Sequence, residues 1–275
     1  MPSQTAPAHD ILRRHYVHEE GRGTRPMLMV HGYGCNQAMW RHMVPHFADD
    51  HRVILFDHVG TAEAGTEGWD AGAYDSLERY AEDVVAVAEA LDLRDAVLVG
   101  HSVSAMICGL AAARMPERVG ALVMVGPSPH YLNDGEYRGG FDRADIDGLL
   151  AGIESNYQGW AQAMAPAIMG RPDAPEHGAE LTERFCEQDP EVAYHFARAT
   201  FLSDNREDLA RISFPTLVLQ CSDDIIAPEQ VGHYVAERLP DGTFHQLEAR
   251  GHCPNLSAPE ETSAAIRMWL DGLGA

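Results

Sequence analysis

Short apolar runs alternate with longer helix-like stretches along this 275-residue chain, and the alternation limits the fold more than any other feature. Five runs are aliphatic or β-branched and predict buried strands over 27–30, 53–56, 96–99, 121–125 and 216–220. A weaker strand is predicted over 243–247. Because strands that alternate with helices form βαβ units, the pattern predicts an α/β fold with a mostly parallel central sheet flanked by helices.

Two helices of this fold have clear sequence signatures. Between the second and third apolar runs, Asp75 and Glu78 have the spacing of a capping pair. The residues that follow form one apolar stripe at helical spacing: Tyr80, Val84, Val87 and Leu91. A last helix is predicted to begin near Pro259.

The segment 127–211 has a different character, because it contains no convincing strand. Its helix-like pieces are rich in Leu, Ile, Met, Trp and Phe and cover 146–153, 160–168, 181–186 and 192–202. We interpret this segment as a helical cap, or lid, inserted between two core strands. The predicted core domain is therefore formed by 1–126 and 212–275, and the predicted lid subdomain by 127–211.

Composition excludes several classes of partner. The net charge is −22 and all 20 basic residues are Arg, which argues against nucleic acid and against anionic membrane surfaces. No apolar run approaches the ~20 residues that cross a bilayer, and the first residues do not resemble a signal peptide. Five cysteines without a CxxC spacing favour a reducing, cytoplasmic location over a disulfide framework.

A possible nucleophile follows the third apolar run. The strand predicted over 96–99 leads directly into Gly-His-Ser-Val-Ser at 100–104 and then into a helix. This is nearly the pattern G-x-S-x-G, in which small residues flank a serine at a sharp strand-to-helix turn. Ser104 takes the place of the second glycine and is still small. We predict that Ser102 is the nucleophile; the alternative is an ordinary turn.

A serine hydroxyl needs a neighbouring base, and the sequence supplies one in the expected order. Asp223 and Asp224 end the strand predicted over 216–220, and His252 lies in a Gly- and Pro-containing loop after the last weak strand. We predict that His252 is the general base and that Asp224 orients it. Asp223 is the alternate, and either carboxylate could instead cap a helix near Pro228.

Acyl transfer also needs hydrogen-bond donors for the developing oxyanion. After a turn of this kind, one is the backbone N–H that follows the nucleophile, here Val103. The second is expected from the His-Gly loop after an early strand, at Tyr33. His31 and His101 also flank the site and are expected to shape turns rather than carry protons.

The sequence predicts neither a metal site nor a nucleotide cofactor. His15 and His18 are three residues apart, but no third ligand cluster or H-E-x-x-H motif accompanies them. Neither G-x-x-x-x-G-K nor G-x-G-x-x-G occurs.

Seven motifs, in their order along the chain, resemble one known family: 31–35, 54–60, 100–106, 124–129, 131–134, 221–228 and 249–254. They are similar to those of the α/β-hydrolase family that contains the bacterial stress regulator RsbQ and the plant karrikin and strigolactone receptors, and more similar to RsbQ. The resemblance implies the same triad and oxyanion donors, and a four-helix, V-shaped lid over a deep apolar pocket. It also implies that three lid aromatics line the pocket: Phe141, Trp160 and Phe201. From the residues alone, plain helix packing explains these aromatics equally well.

One loop departs from the family pattern. After Asp57-His58-Val59-Gly60 the family usually continues with Ser-Gly and a short polar turn, whereas this chain has a different sequence over 61–70. We therefore do not assign to this chain the contacts that the loop makes in relatives.

Three functions fit these observations. The first is a serine hydrolase that cleaves a small, mostly apolar ester, lactone or enol ether through an acyl-enzyme. By the resemblance, it would act in stress signalling with a partner phosphatase. The second is a ligand-binding receptor with little turnover. The third is a carbon–carbon bond hydrolase or a cofactor-free haloperoxidase, which would share the triad. Dehalogenases and epoxide hydrolases are disfavoured because they place Asp where this chain has Ser102.

Overall fold

A computed structural model describes residues 7–274, so residues 1–6 and residue 275 of the predicted core lie outside it. Within that range one seven-stranded sheet has the order β1-β3-β2-β4-β5-β6-β7. Its strands are β1 His18–Glu20, β2 Arg25–Val30, β3 His51–Phe56, β4 Ala96–His101, β5 Val119–Val125, β6 Thr216–Asp223 and β7 Gly242–Arg250. Every neighbouring pair is parallel except β1 with β3, which confirms the predicted mostly parallel sheet.

Helices connect the strands and cover both faces of the sheet. They are α1 Ala8–Arg14, α2 Leu77–Ala90, α3 Val103–Arg114, α4 Arg143–Met169, α5 Pro175–Cys186, α6 Pro190–Phe201, α7 Glu229–Arg238, α8 Pro254–Ser257 and α9 Pro259–Leu273. Alternate residues of β2 pack on opposite faces, as the two-residue period of a strand requires. Leu28 joins the core of α2 and α3, whereas Met27 packs with residues of α9.

The sequence located six of the seven strands but missed β1. All three residues of β1, His-Glu-Glu, are exposed, so this edge strand has no apolar signal. The predicted Asp75–Glu78 cap of α2 is also wrong. The helix begins at Leu77, its N-cap is Ser76, and no side chain forms a capping hydrogen bond there.

Three helices, α4 to α6, are inserted between β5 and β6, as predicted for a helical lid. Asn156 interrupts α4 with non-helical angles (φ −159°, ψ 78°), and its side-chain oxygen accepts a hydrogen bond from the Gly159 N–H at 3.0 Å. Asn156 therefore acts as an N-cap inside the helix and divides it into two segments. The insertion thus contains four helical segments. Its proposed boundaries at 127 and 211 stay a prediction.

The parallel topology determines where the polar motifs meet. The carboxyl ends of parallel strands lie at the same edge of a sheet, and ligands bind at that edge in open α/β sheets. Here the loops after β2, β4, β6 and β7 carry Tyr33, Ser102, Asp224 and His252. Residues far apart in sequence therefore converge beneath the inserted helices.

Candidate active site

Ser102 lies at a sharp turn between β4 and α3. Its backbone angles (φ 58°, ψ −127°) fall in the left-handed region that non-glycine residues rarely adopt. The turn also needs a small residue at Gly100, since an added Cβ would lie 2.2 Å from the Ser104 carbonyl oxygen. A hydrogen bond from the Ser102 N–H to the Val125 carbonyl (2.8 Å) helps to hold this conformation. Such strain concentrates at functional sites.

The structure brings the three predicted side chains together. With its ring proton on Nδ1, His252 donates a hydrogen bond to Asp224 Oδ2 at 2.7 Å. Its Nε2 accepts a hydrogen bond from Ser102 Oγ, also at 2.7 Å. All three residues are buried. Nucleophile, base and orienting carboxylate therefore form one continuous hydrogen-bonded chain, which is the geometry that activates a serine.

Asp224 is held as a carboxylate in a buried setting. Burial alone would raise its pKa, but the attraction and hydrogen bond of His252 oppose this effect. The backbone N–H groups of Ile226 and Ala227 add hydrogen bonds to Oδ1 at 2.8 and 3.1 Å. Together these contacts lower the pKa of Asp224 below its usual value, so the group stays charged beside the imidazole.

Asp223, the alternate carboxylate, points elsewhere. Its side chain is about 61% exposed and pairs with Arg250 at 3.1 Å. Only its backbone serves the site, because its carbonyl accepts a hydrogen bond from the Gly251 N–H at 2.7 Å. The geometry therefore favours Asp224 over Asp223 as the partner of His252.

The loop that carries His252 is fixed from two sides. The His252 N–H donates a hydrogen bond to the Ile168 carbonyl of α4 at 2.9 Å. From the core, His101 Nε2–H donates to the His252 carbonyl at 2.8 Å. Burial and the nearby His252 lower the pKa of His101 to about 3, so this ring is neutral and acts as a fixed donor. This role agrees with the expectation that His101 shapes the site rather than carrying protons.

The loop after β2 runs directly against the serine turn. A Cβ at Gly32 would lie 3.1 Å from the Ser102 Cβ and 2.8 Å from His101 Nδ1, so only glycine allows this approach. Tyr33 follows in this loop, and Val103 is the first residue of α3. No hydrogen-bond acceptor for either backbone N–H occurs among residues 7–274. Both groups are available for the oxyanion role predicted for them.

Ser104 occupies the position of the second glycine of the usual pattern, and its hydroxyl forms two buried hydrogen bonds there. Its hydroxyl donates to the His31 carbonyl at 2.5 Å and accepts from His58 Nε2–H at 3.0 Å. His31 Nε2 in turn accepts from the His58 backbone N–H at 3.1 Å. Burial lowers the pKa values of His31 and His58, which remain neutral. Ser102, not Ser104, contacts His252; Ser104 fixes the loop that carries Tyr33.

A cavity of about 30 Å³ lies above Ser102 and His252, under the lid. This is room for one or two water molecules, so a larger ligand must displace side chains. Trp160 and Phe201 line it, with Tyr33, Met164, Leu181 and Phe185. Phe141 is not on the cavity surface and packs behind Phe201, with ring centroids 6.2 Å apart.

The loop over 61–70, which departs from the family pattern, does not line this cavity. Its Trp69 ring instead packs against His195 of α6, with centroids 5.7 Å apart. The loop therefore contacts the lid at α6 without lining the cavity.

The described residues hold no group of three His, Cys, Asp or Glu side chains placed to bind a metal. Between residues 7 and 274, every helix is too short or too polar to span a membrane.

Comparison with known proteins gives the class. The model of the alpha/beta hydrolase fold family matches residues 25–259. The hydrolase olei00960 from Oleispira antarctica superposes with a TM-score of 0.94 at 37% identity, over 97% of this chain and 98% of that one. The chain is a serine hydrolase of the α/β-hydrolase family.

Two curated relatives define the group within that family. Strigolactone esterase D14 of Arabidopsis thaliana is 34% identical over 263 residues, which are 95% of this chain and 98% of that protein. Karrikin insensitive 2 receptor CA of Petunia hybrida is 35% identical over 251 residues, 91% and 93% of the two chains. This chain therefore belongs to the α/β-hydrolase group of the strigolactone and karrikin receptors.

Proposed function

We propose that this protein hydrolyses a small, mostly apolar ester, lactone or enol ether through an acyl-enzyme on Ser102. The observation that carries the proposal is the pair of 2.7 Å hydrogen bonds that link Ser102, His252 and Asp224. The apolar cavity above the serine supports the substrate class.

The reaction follows from the positions of the atoms. Ser102 Oγ attacks the substrate carbonyl carbon while its proton passes to His252 Nε2, and Asp224 stabilises the imidazolium. The Tyr33 and Val103 N–H groups hold the oxyanion. The leaving oxygen takes the proton from Nε2 as the ester bond breaks. Water then attacks the acyl group with His252 as base, releasing the acid and restoring the Ser102 hydroxyl.

Replacing Ser102 tests this proposal. We expect Ser102→Ala to lower kcat for a p-nitrophenyl ester by at least ~10³-fold with unchanged folding, because no other group supplies the nucleophile. The control is Ser155→Ala, an exposed serine of α4, which should keep wild-type activity. Wild-type turnover by Ser102→Ala, with an intact circular dichroism spectrum, would refute the proposal.

The second candidate is a ligand sensor that signals with little turnover. The name of the Petunia relative, a receptor, supports it.

Our proposal for the hydrolase also includes an RsbQ-like role in stress signalling with a partner phosphatase, supported by the motif resemblance over 31–254. It also includes a cytoplasmic location, supported by five cysteines that are all free.

Product release distinguishes the enzyme from the sensor. Steady release of many product equivalents per protein would favour the enzyme, and a burst of one equivalent without further turnover would favour the sensor.

A further inference from the structure

Three buried hydroxyl groups lie in or beside the cavity. Tyr33 and Thr200 line the cavity, and they are 8% and 1% exposed. Tyr157 of α4 is also buried, and its ring stacks on Trp160 at 6.1 Å. The three hydroxyl oxygens have no hydrogen-bond partner among the described residues.

Buried hydroxyls without a partner are unusual because desolvation destabilises them. Burial raises the pKa of Tyr33, and the nearby Tyr157 hydroxyl raises it further. Even if the phenols rotate to pair, one phenolic O–H and the Thr200 hydroxyl still lack partners. Phe and Val would fill the same space without this cost.

One further hydroxyl, that of Tyr131, lines the cavity and lies beside Ser102. The remaining lining residues are apolar, are thiols, or belong to the Ser102 site, and neither the Tyr33 nor the Thr200 hydroxyl has a hydrogen-bond partner among the described residues. Tyr33 itself sits in an aromatic cluster, with ring centroids 6.2 Å from Trp160, 5.8 Å from Phe185 and 5.7 Å from Phe196. These edge-to-face contacts fix the position of its ring. The hydroxyl is therefore held in place rather than free to swing toward solvent.

We propose that Tyr33 and Thr200 form a polar subsite that binds a second carbonyl oxygen of the substrate, separated from the scissile group by a short apolar stretch. A carbonyl oxygen has two lone pairs and can accept from both hydroxyls. The inference rests on the proposed hydrolase function and narrows its substrate class to oxo-esters and oxo-lactones. A site built to bind a polar group discriminates strongly against an analogue that lacks it.

The test uses substrates that differ by one oxygen: p-nitrophenyl hexanoate, 4-oxohexanoate and 5-oxohexanoate. The ratio of kcat/KM for the better oxo-ester to that for hexanoate is measured in wild type, Tyr33→Phe and Thr200→Val. Both substitutions keep shape and remove one hydroxyl, and Tyr33→Phe keeps the backbone N–H. Dividing each variant's ratio by the wild-type ratio cancels the intrinsic reactivity of the esters.

We expect wild type to prefer one oxo-ester by about 10-fold or more, and each variant to lose most of that preference. The matched control is Thr182→Val on α5, whose hydroxyl already donates to the Gly178 carbonyl at 2.8 Å. It should keep the wild-type ratio but lower Tm, whereas Tyr33→Phe and Thr200→Val should not lower Tm.

An unchanged ratio in both cavity variants, or no oxo-ester preference in wild type, would overturn the subsite and leave resident water as the partner of the hydroxyls. If wild type hydrolyses none of the three esters, the proposed function fails instead, so the two failures are distinct.

Discussion

The core side and the lid side of the active-site cavity, its two walls, are stabilised by different interactions. On the core side, the catalytic groups and the loop beside them are held by hydrogen bonds: Asp224 accepts from His252 and from two backbone N–H groups, and Ser104 bonds to both His31 and His58. On the lid side, aromatic rings stack on one another, and the hydroxyls of Tyr157 and Thr200 have no partner among the described residues.

This difference separates reactivity from selectivity. Preorganised hydrogen bonds keep catalytic groups in place without reorganisation during the reaction. Side chains of the lid helices can shift around ligands of different shape, as the small cavity requires, whereas Tyr33 stays on the loop after β2. Substitutions on the core side should therefore change the rate of chemistry, and those on the lid side should change binding and choice of substrate.

The largest expected effect comes from the orienting carboxylate. Asp224→Asn should lower kcat by about 10³- to 10⁴-fold, because the amide cannot hold the imidazole in the same tautomer or stabilise its charge. The control is Asp223→Asn, which removes only the exposed pair with Arg250 and should cost less than about 3-fold. Stopped-flow or plate assays with a p-nitrophenyl ester measure both. Equal losses in the two variants would show that the wrong carboxylate is assigned.

A smaller effect is expected on stability at acid pH. Burial lowers the pKa of His101 to about 3, while the unfolded chain takes up this proton near pH 6.5. The unfolded state thus binds more protons below pH 6.5, and stability falls as the pH drops from about 6.5 toward 3. The slope is about 1.4 kcal/mol per pH unit for this histidine. The free energy of unfolding, measured with urea at several pH values, should depend less steeply on pH in His101→Gln than in wild type.

His9 provides the control for that measurement, because its side chain is 88% exposed. His9→Gln should keep the wild-type slope. If His101→Gln keeps it as well, His101 does not remain neutral in the folded protein.

The smallest effect is expected on the lid side. Trp160 stacks on Phe185 with ring planes 3° apart and centroids 5.8 Å apart. Trp160→Ala should raise KM for short esters about 10-fold while kcat stays within about 3-fold, since it removes binding common to substrate and transition state. Trp160→Phe should lose less. A 100-fold fall in kcat at constant KM would show that this ring contributes to the chemical step. It would contradict the proposed separation of reactivity on the core side from binding on the lid side.

The sequence predicted the core side better than the lid side, and the reasons are physical. Ser102, Asp224 and His252 follow apolar strands, so the strand pattern and the parallel topology together predict that they meet. Edge strand β1 was missed because its three residues are all exposed and show no alternation of apolar and polar side chains. The contacts of His58 with Ser104 depend on tertiary packing and have no local signal.

On the lid, the sequence named aromatics but could not say which ones face the cavity. The family resemblance placed both Phe141 and Phe201 at the pocket, yet only Phe201 lies on the cavity surface. Thr200 reads as an ordinary residue of α6, and only its burial without a partner distinguishes it. Which face of an inserted helix points inward depends on how the four helical segments pack.

Reaction with a phosphonate ester tests most directly whether the hydroxyl at residue 102 is activated. Treatment with ethyl p-nitrophenyl phosphonate, followed by intact-mass and peptide mass spectrometry, should add one phosphonyl group per chain, on the peptide that contains Ser102, and release one equivalent of p-nitrophenol. Ser102→Ala should stay unlabelled. Full labelling of Ser102→Ala, or a stable adduct only at another residue of the wild type, would contradict the account.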